Sequence, residues 1–119
     1  IARGVDGEFD LIVANPPYMR DEAARVYRDG GGSHGEGVSV RIVRECLPRL
    51  AAGGTLIVYT GSAFVGGADT FRQAVTPLLS GARAVDYEEL DADVFGDELE
   101  RPGYADVERI AAVGLRVRL

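Results

Sequence analysis

The sequence predicts an α/β fold: a mostly parallel, doubly wound sheet with a final antiparallel strand. Three observations predict it. Phe9 to Ala14 and Thr55 to Thr60 are short, near-continuous apolar runs, the pattern of strands buried on both faces of a parallel sheet. Segments with helical apolar spacing alternate with these runs, which is the order of strand–helix–strand units. Ile110 to Leu119 alternates instead, with Arg116 and Arg118 between Val113, Leu115, Val117 and Leu119, as an antiparallel strand with one wetter face does.

Taken in order, Ile1 to Glu8 reads as a polar approach loop with Gly4 and Gly7 as turn residues. The first strand, Phe9 to Ala14, must stop at Asn15-Pro16-Pro17-Tyr18. Proline supplies no backbone N–H and fixes φ, and it pushes the preceding residue to extended geometry. Met19 to Gly37 is polar and glycine-rich, a long loop of the kind that usually carries function. Val38 to Leu50 is a predicted helix, with Ile42, Val43, Cys46, Leu47 and Leu50 inward and Arg41, Arg44, Glu45 and Arg49 outward. Pro48 predicts a kink or a tightened last turn, and Gly53-Gly54 ends the element.

The second strand, Thr55 to Thr60, closes at Gly61-Ser62. A second helix runs from about Thr70 to Leu79 with Asp69 as N-cap and Phe71, Ala74, Val75, Leu78 and Leu79 as its apolar stripe. Arg83 to Leu90 is a weaker strand, too acidic on one side to be central, and Asp91 to Glu108 is an acidic connection. Two strand–helix–strand units imply parallel crossovers, from which the last strand departs.

At 119 residues and 46% hydrophobic, the chain fits one domain with a real core. No apolar run approaches the roughly 20 residues that span a bilayer, so no membrane partner is expected. Cys46 is alone, which excludes a disulfide framework and makes the reducing cytoplasm the expected compartment. The net charge of −6 argues against a broad nucleic-acid footprint on this chain, although Arg20, Arg25 and Arg28, interleaved with Tyr27, gather near the proline corner.

The corner stands at a strand's carboxyl end, where open α/β sheets bind ligands. An amino group conjugated to a planar system is a poor nucleophile because its lone pair is delocalised. The side-chain carbonyl of Asn15 and the backbone carbonyl of Pro16 can accept both amino hydrogens, aiming the lone pair at an electrophile by orientation. Tyr18 can stack on a flat substrate. A turn that merely caps the strand is the alternative reading of the same residues.

Phe9 to Tyr18 resembles the fourth strand and catalytic motif of class I S-adenosylmethionine-dependent methyltransferases of the NPPY type. These act on exocyclic amino or amide nitrogens and include release-factor glutamine methyltransferases, ribosomal RNA guanine methyltransferases and adenine methyltransferases of DNA and RNA. Leu50 to Leu56 resembles the family's helix-to-fifth-strand junction, and the final antiparallel strand resembles its seventh. The resemblance covers nearly the whole chain, with specificity in the four-residue motif alone.

It implies a Rossmann-like sheet with S-adenosyl-L-methionine as cofactor. It also implies catalytic roles for Asn15, Pro16, Pro17 and Tyr18, substrate contacts from Asn15, Pro16, Tyr18 and Arg28, and a cofactor contact from Asn15. The implied substrates are ribosomal RNA, transfer RNA, DNA or a protein glutamine. In the family the glycine-rich cofactor loop and the acid that holds the ribose precede the catalytic strand, and here eight residues precede it. The expectation is therefore that residues 1–119 are the carboxyl-terminal part of one methyltransferase domain, inactive alone, with an open sheet edge that invites a homodimer. An inactive fragment or binding module of the same fold, and one half of a split enzyme, are the alternative functions.

Three further motifs are weaker. Gly30 to Gly35 satisfies G-x-G-x-x-G before a helix but does not follow a strand. His34 has no second His or Cys partner for a metal. Asp91 to Gly96 imitates the start of a calcium loop but fails at Phe95 and Pro102.

Overall fold

The computed structural model describes residues 4–18, 35–94 and 106–119. Strand β1 (Phe9–Ala14) leads through the corner to helix α1 (Gly37–Cys46), then to β2 (Leu50–Val65), a two-residue strand β3 (Ala68–Asp69), α2 (Thr70–Val75), β4 (Ala84–Asp91) and β5 (Arg109–Arg118). The sheet order is β1-β2-β5-β4, with β3 pairing β2. β1 runs parallel to β2, whereas β5 runs antiparallel to both β2 and β4. Three of the four long strands therefore point one way and β5 alone is reversed. The fold class is α/β, as the patterning predicts.

The second crossover does not return to the place beside β2. β4 shares the direction of β2 but lies one strand further out, with β5 between them. Side-chain chemistry explains the choice. β5 is buried along most of its length and gains two neighbours, whereas β4 exposes all but Tyr87 and takes the edge.

The prolines tighten both helices. α1 ends at Cys46 and passes into a 3-10 turn, Leu47–Arg49, and α2 passes into another, Thr76–Leu79; Pro48 and Pro77 are the second residues of these turns. The missing N–H makes a proline tolerable at such a start. Asp69 caps α2 by accepting from the Arg72 amide at 2.9 Å.

β2 is longer than its central apolar run. It starts at Leu50 and continues to Val65, so Gly53-Gly54 interrupts a strand rather than ending an element. The β1–β2 register jumps there, from Phe9↔Leu50 to Leu11↔Thr55. Gly53 takes φ +77°, and a Cβ on Gly54 would stand 2.8 Å from the Ala51 carbonyl oxygen and 2.9 Å from that of Phe9. The pair is thus a glycine bulge. At the far end, Gly66 and Gly67 both have positive φ and close a tight hairpin into β3.

Both helices pack on one face of the sheet. There Val43, Leu56, Val58, Phe71, Val75, Val113, Leu115 and Val117 are almost fully buried, and Cys46 joins them as the stripe predicts. Pairing places Leu11, Val13, Ile57, Tyr59 and Gly61 on the other face. Among the described residues no helix covers that face: Leu11 is 57% exposed, Val13 66% and Tyr59 42%. No helix among the described residues is long and apolar enough to cross a membrane.

Candidate functional site

The corner follows β1 at the carboxyl edge of the sheet. Asn15 is exposed, Pro16 is buried, and Pro17 and Tyr18 are half-buried. The buried Pro16 fixes the bend, while Asn15 is turned to solvent. Its side chain makes no hydrogen bond among the described residues. An asparagine that builds a turn bonds its own backbone two residues on. Here that residue is Pro17, which has no N–H to give. The amide is left with its full donor and acceptor capacity at the edge where ligands meet such sheets.

Tyr18 is placed by a contact the sequence did not reveal. Its ring lies against Gly61 of β2: a Cβ built there would meet Cδ2 at 2.2 Å, Cε2 at 2.4 Å and Cγ at 2.9 Å. Burial, and secondarily the neighbouring Tyr59, hold the Tyr18 phenol above its ordinary value. Next to Gly61, Thr60 bonds Ser39 of α1, oxygen to oxygen at 2.8 Å, with both side chains fully buried. This pair ties the start of α1 to the strand that carries the ring.

A polar cluster lies further along the same edge. Besides capping α2, the Asp69 carboxylate accepts from the Ser62 hydroxyl and, at 2.6 Å, from the Tyr87 hydroxyl. Ser62 in turn accepts from the Phe71 amide at 3.1 Å. Burial first, and then the bond to Asp69, raise the Tyr87 phenol far above the usual tyrosine range. Arg72 lies 5.0 Å from the centroid of the Tyr87 ring. Every bond of Asp69 is structural, and the cluster joins β2, α2 and β4. Beside it is a groove of about 480 Å³ lined by residues that include Phe64, Arg72, Gln73 and Arg109. Arg109 stacks over Phe64 at 3.7 Å and donates to Glu89 and to the Ala92 carbonyl, so its charge is largely satisfied.

Of the sequence-predicted site residues, the consecutive Asn15, Pro16, Pro17 and Tyr18 lie at this corner. Arg28, with Arg20, Arg25, His34 and most of Gly30 to Gly35, lies outside the described residues, as do Phe95 and Pro102. Among the described residues no group of His, Cys, Asp or Glu is arranged to hold a metal. Gly61 was missed because a glycine at the end of an apolar run reads as a stop. The available signal was Thr60 to Val65, whose small and apolar residues extend the strand.

No family model matches the chain, and no curated protein does. Among solved structures it is similar to SMU.776, described provisionally as a methyltransferase and solved in complex with SAH. The TM-score is 0.42 at 14% identity, over 95% of this chain and 28% of that one. The chain thus spans little more than a quarter of that structure, and likeness at this level bears on neither activity nor ligand.

Proposed function

We propose that the corner is the acceptor clamp of an S-adenosylmethionine-dependent N-methyltransferase acting on an exocyclic amino or amide nitrogen. The observation that carries this reading is the exposed, unbonded amide of Asn15 at a strand's carboxyl end, followed by a buried proline and a seated aromatic ring. The Asn15 Oδ1 and the Pro16 carbonyl accept the two hydrogens of the target nitrogen, and Tyr18 confines the flat group that bears it. The chain's part is positioning and electrostatics, because the nitrogen sheds its proton only after transfer and needs no strong base beforehand.

The cofactor supplies the methyl group. Of the described residues, Asn15 alone is proposed to touch it. β1 ends in prolines rather than a glycine-rich turn opening a helix, and Gly66-Gly67 leads into a strand. The donor side is proposed to come from residues outside this chain, joining the sheet at the edge of β1 and on the face that no described helix covers. In the chain alone, the same edge takes a second copy. The acceptor is a base of ribosomal RNA, transfer RNA or DNA, or a protein glutamine.

The test is transfer of tritium from methyl-labelled S-adenosylmethionine by the protein that carries this chain. The acceptors offered are unmodified ribosomal RNA, transfer RNA, DNA and a glutamine-bearing protein. Incorporation into an amino or amide nitrogen supports the reading. Incorporation only at carbon or oxygen, or none with any acceptor, overturns it.

A further inference from the structure

Gly61 stands inside β2, paired with Ala112 and flanked by the buried Thr60 and Ser62. Its φ lies outside the left-handed region, so its backbone does not require glycine. Glycine in a strand interior weakens the strand, and it marks places where another group approaches the backbone closely. Here the approaching group is the Tyr18 ring. A Cβ at Gly61 would be 2.2 and 2.4 Å from two adjacent ring carbons and 2.9 Å from Cγ. A Cβ lying beyond the rim, in the ring plane, would be much further from Cγ, so it would stand over the ring near one edge.

We infer that Gly61 is a positioning residue: it seats one face of Tyr18 on β2 and thereby sets the plane in which the other face receives a flat acceptor. This rests on the reading of the corner as an acceptor clamp. Two observations agree with it. The phenol is partly withdrawn from water at the seat. The hydroxyl pair of Ser39 and Thr60, directly beside Gly61 on the opposite face, fixes β2 to α1 at this point. A methyl group at position 61 has to displace the ring by an ångström or more, since carbon atoms pack at about 3.5–4.0 Å.

The experiment has a structural arm and a kinetic arm. By NMR on the protein, the Gly61 Hα resonances are shifted upfield by the ring, and Tyr18→Leu abolishes the shift. In the methyl-transfer assay, Gly61→Ala lowers kcat/KM for the acceptor by about 10²-fold, the effect of an ångström of misplacement. KM for S-adenosylmethionine stays unchanged. In a Tyr18→Leu background the same substitution has no further effect, because the ring through which Gly61 acts is gone.

Absence of the upfield shift in the folded protein overturns the seat, whatever the activity. Multiplicative losses in the double variant, or an acceptor kcat/KM within twofold of wild type in Gly61→Ala, overturn the positioning role. A wild-type protein with the shift intact but no nitrogen methylation overturns the clamp reading instead, and reduces Gly61 to a packing residue.

Discussion

Replacing Asp69 by alanine tests the cluster that holds the carboxyl edge together. The carboxylate accepts from the Arg72 amide at 2.9 Å, the Tyr87 hydroxyl at 2.6 Å and the Ser62 hydroxyl. Loss of an N-cap costs about 1 kcal/mol. Each bond to a charged acceptor contributes about 1.5–3 kcal/mol where burial is deep, and less here, where Asp69 is only half-buried. The hydroxyls can turn partly toward water, so the expected total is about 3 kcal/mol. With a urea m-value of about 1–3 kcal/mol/M, the midpoint falls by roughly 1–3 M. The assay is urea unfolding followed by circular dichroism, with Tyr87→Phe and the double variant alongside. Tyr87→Phe costs about 1–2 kcal/mol in the wild type and almost nothing once Asp69 is alanine. An Asp69→Ala cost below about 0.5 kcal/mol, or a full Tyr87→Phe cost in both backgrounds, refutes the reasoning.

Two further outcomes follow from the same geometry. Tyr87 holds its proton far above the ordinary tyrosine value of 10.0, so the folded state binds the proton more tightly than the unfolded chain does. That contribution is fully present below pH 10 and is lost as the pH climbs above it; stability-versus-pH curves of Tyr87→Phe are shallower there, and superimposable curves refute the assignment. At the opposite edge, β1 ends the sheet among the described residues, with Leu11 and Val13 exposed. The isolated chain self-associates and Val13→Lys suppresses it, checked by sedimentation velocity; a strictly monomeric folded wild type contradicts the proposal.

The elements were legible where one side-chain pattern ran unbroken. β5 alternates from Val113 to Arg118, the part the sequence pattern marks as a strand, and Asp69 declares a cap by residue type. β4 announced its edge position through its acidic residues. Three features were not legible for physical reasons. The insertion of β5 between β2 and β4 depends on competition between strands for the central place, which no local window contains. The length of β2 was hidden because Gly53-Gly54 and Gly61 look like terminators, whereas one pair makes a bulge and the other glycine makes room for a ring. In the candidate site, the corner was visible because two prolines after a strand admit few conformations. The seat beneath Tyr18 joins residues 43 positions apart along the chain, and only the folded sheet brings them together.

The most direct test of the clamp is the amide of Asn15 itself. In the protein that carries this chain, Asn15→Ala leaves circular dichroism and the urea midpoint unchanged, because the exposed side chain makes no hydrogen bond among the described residues. Methyl transfer to nitrogen falls by about 10²–10³-fold in kcat, the usual loss when one preorganised polar group is removed. Transfer at the wild-type rate by a folded Asn15→Ala protein would contradict the account.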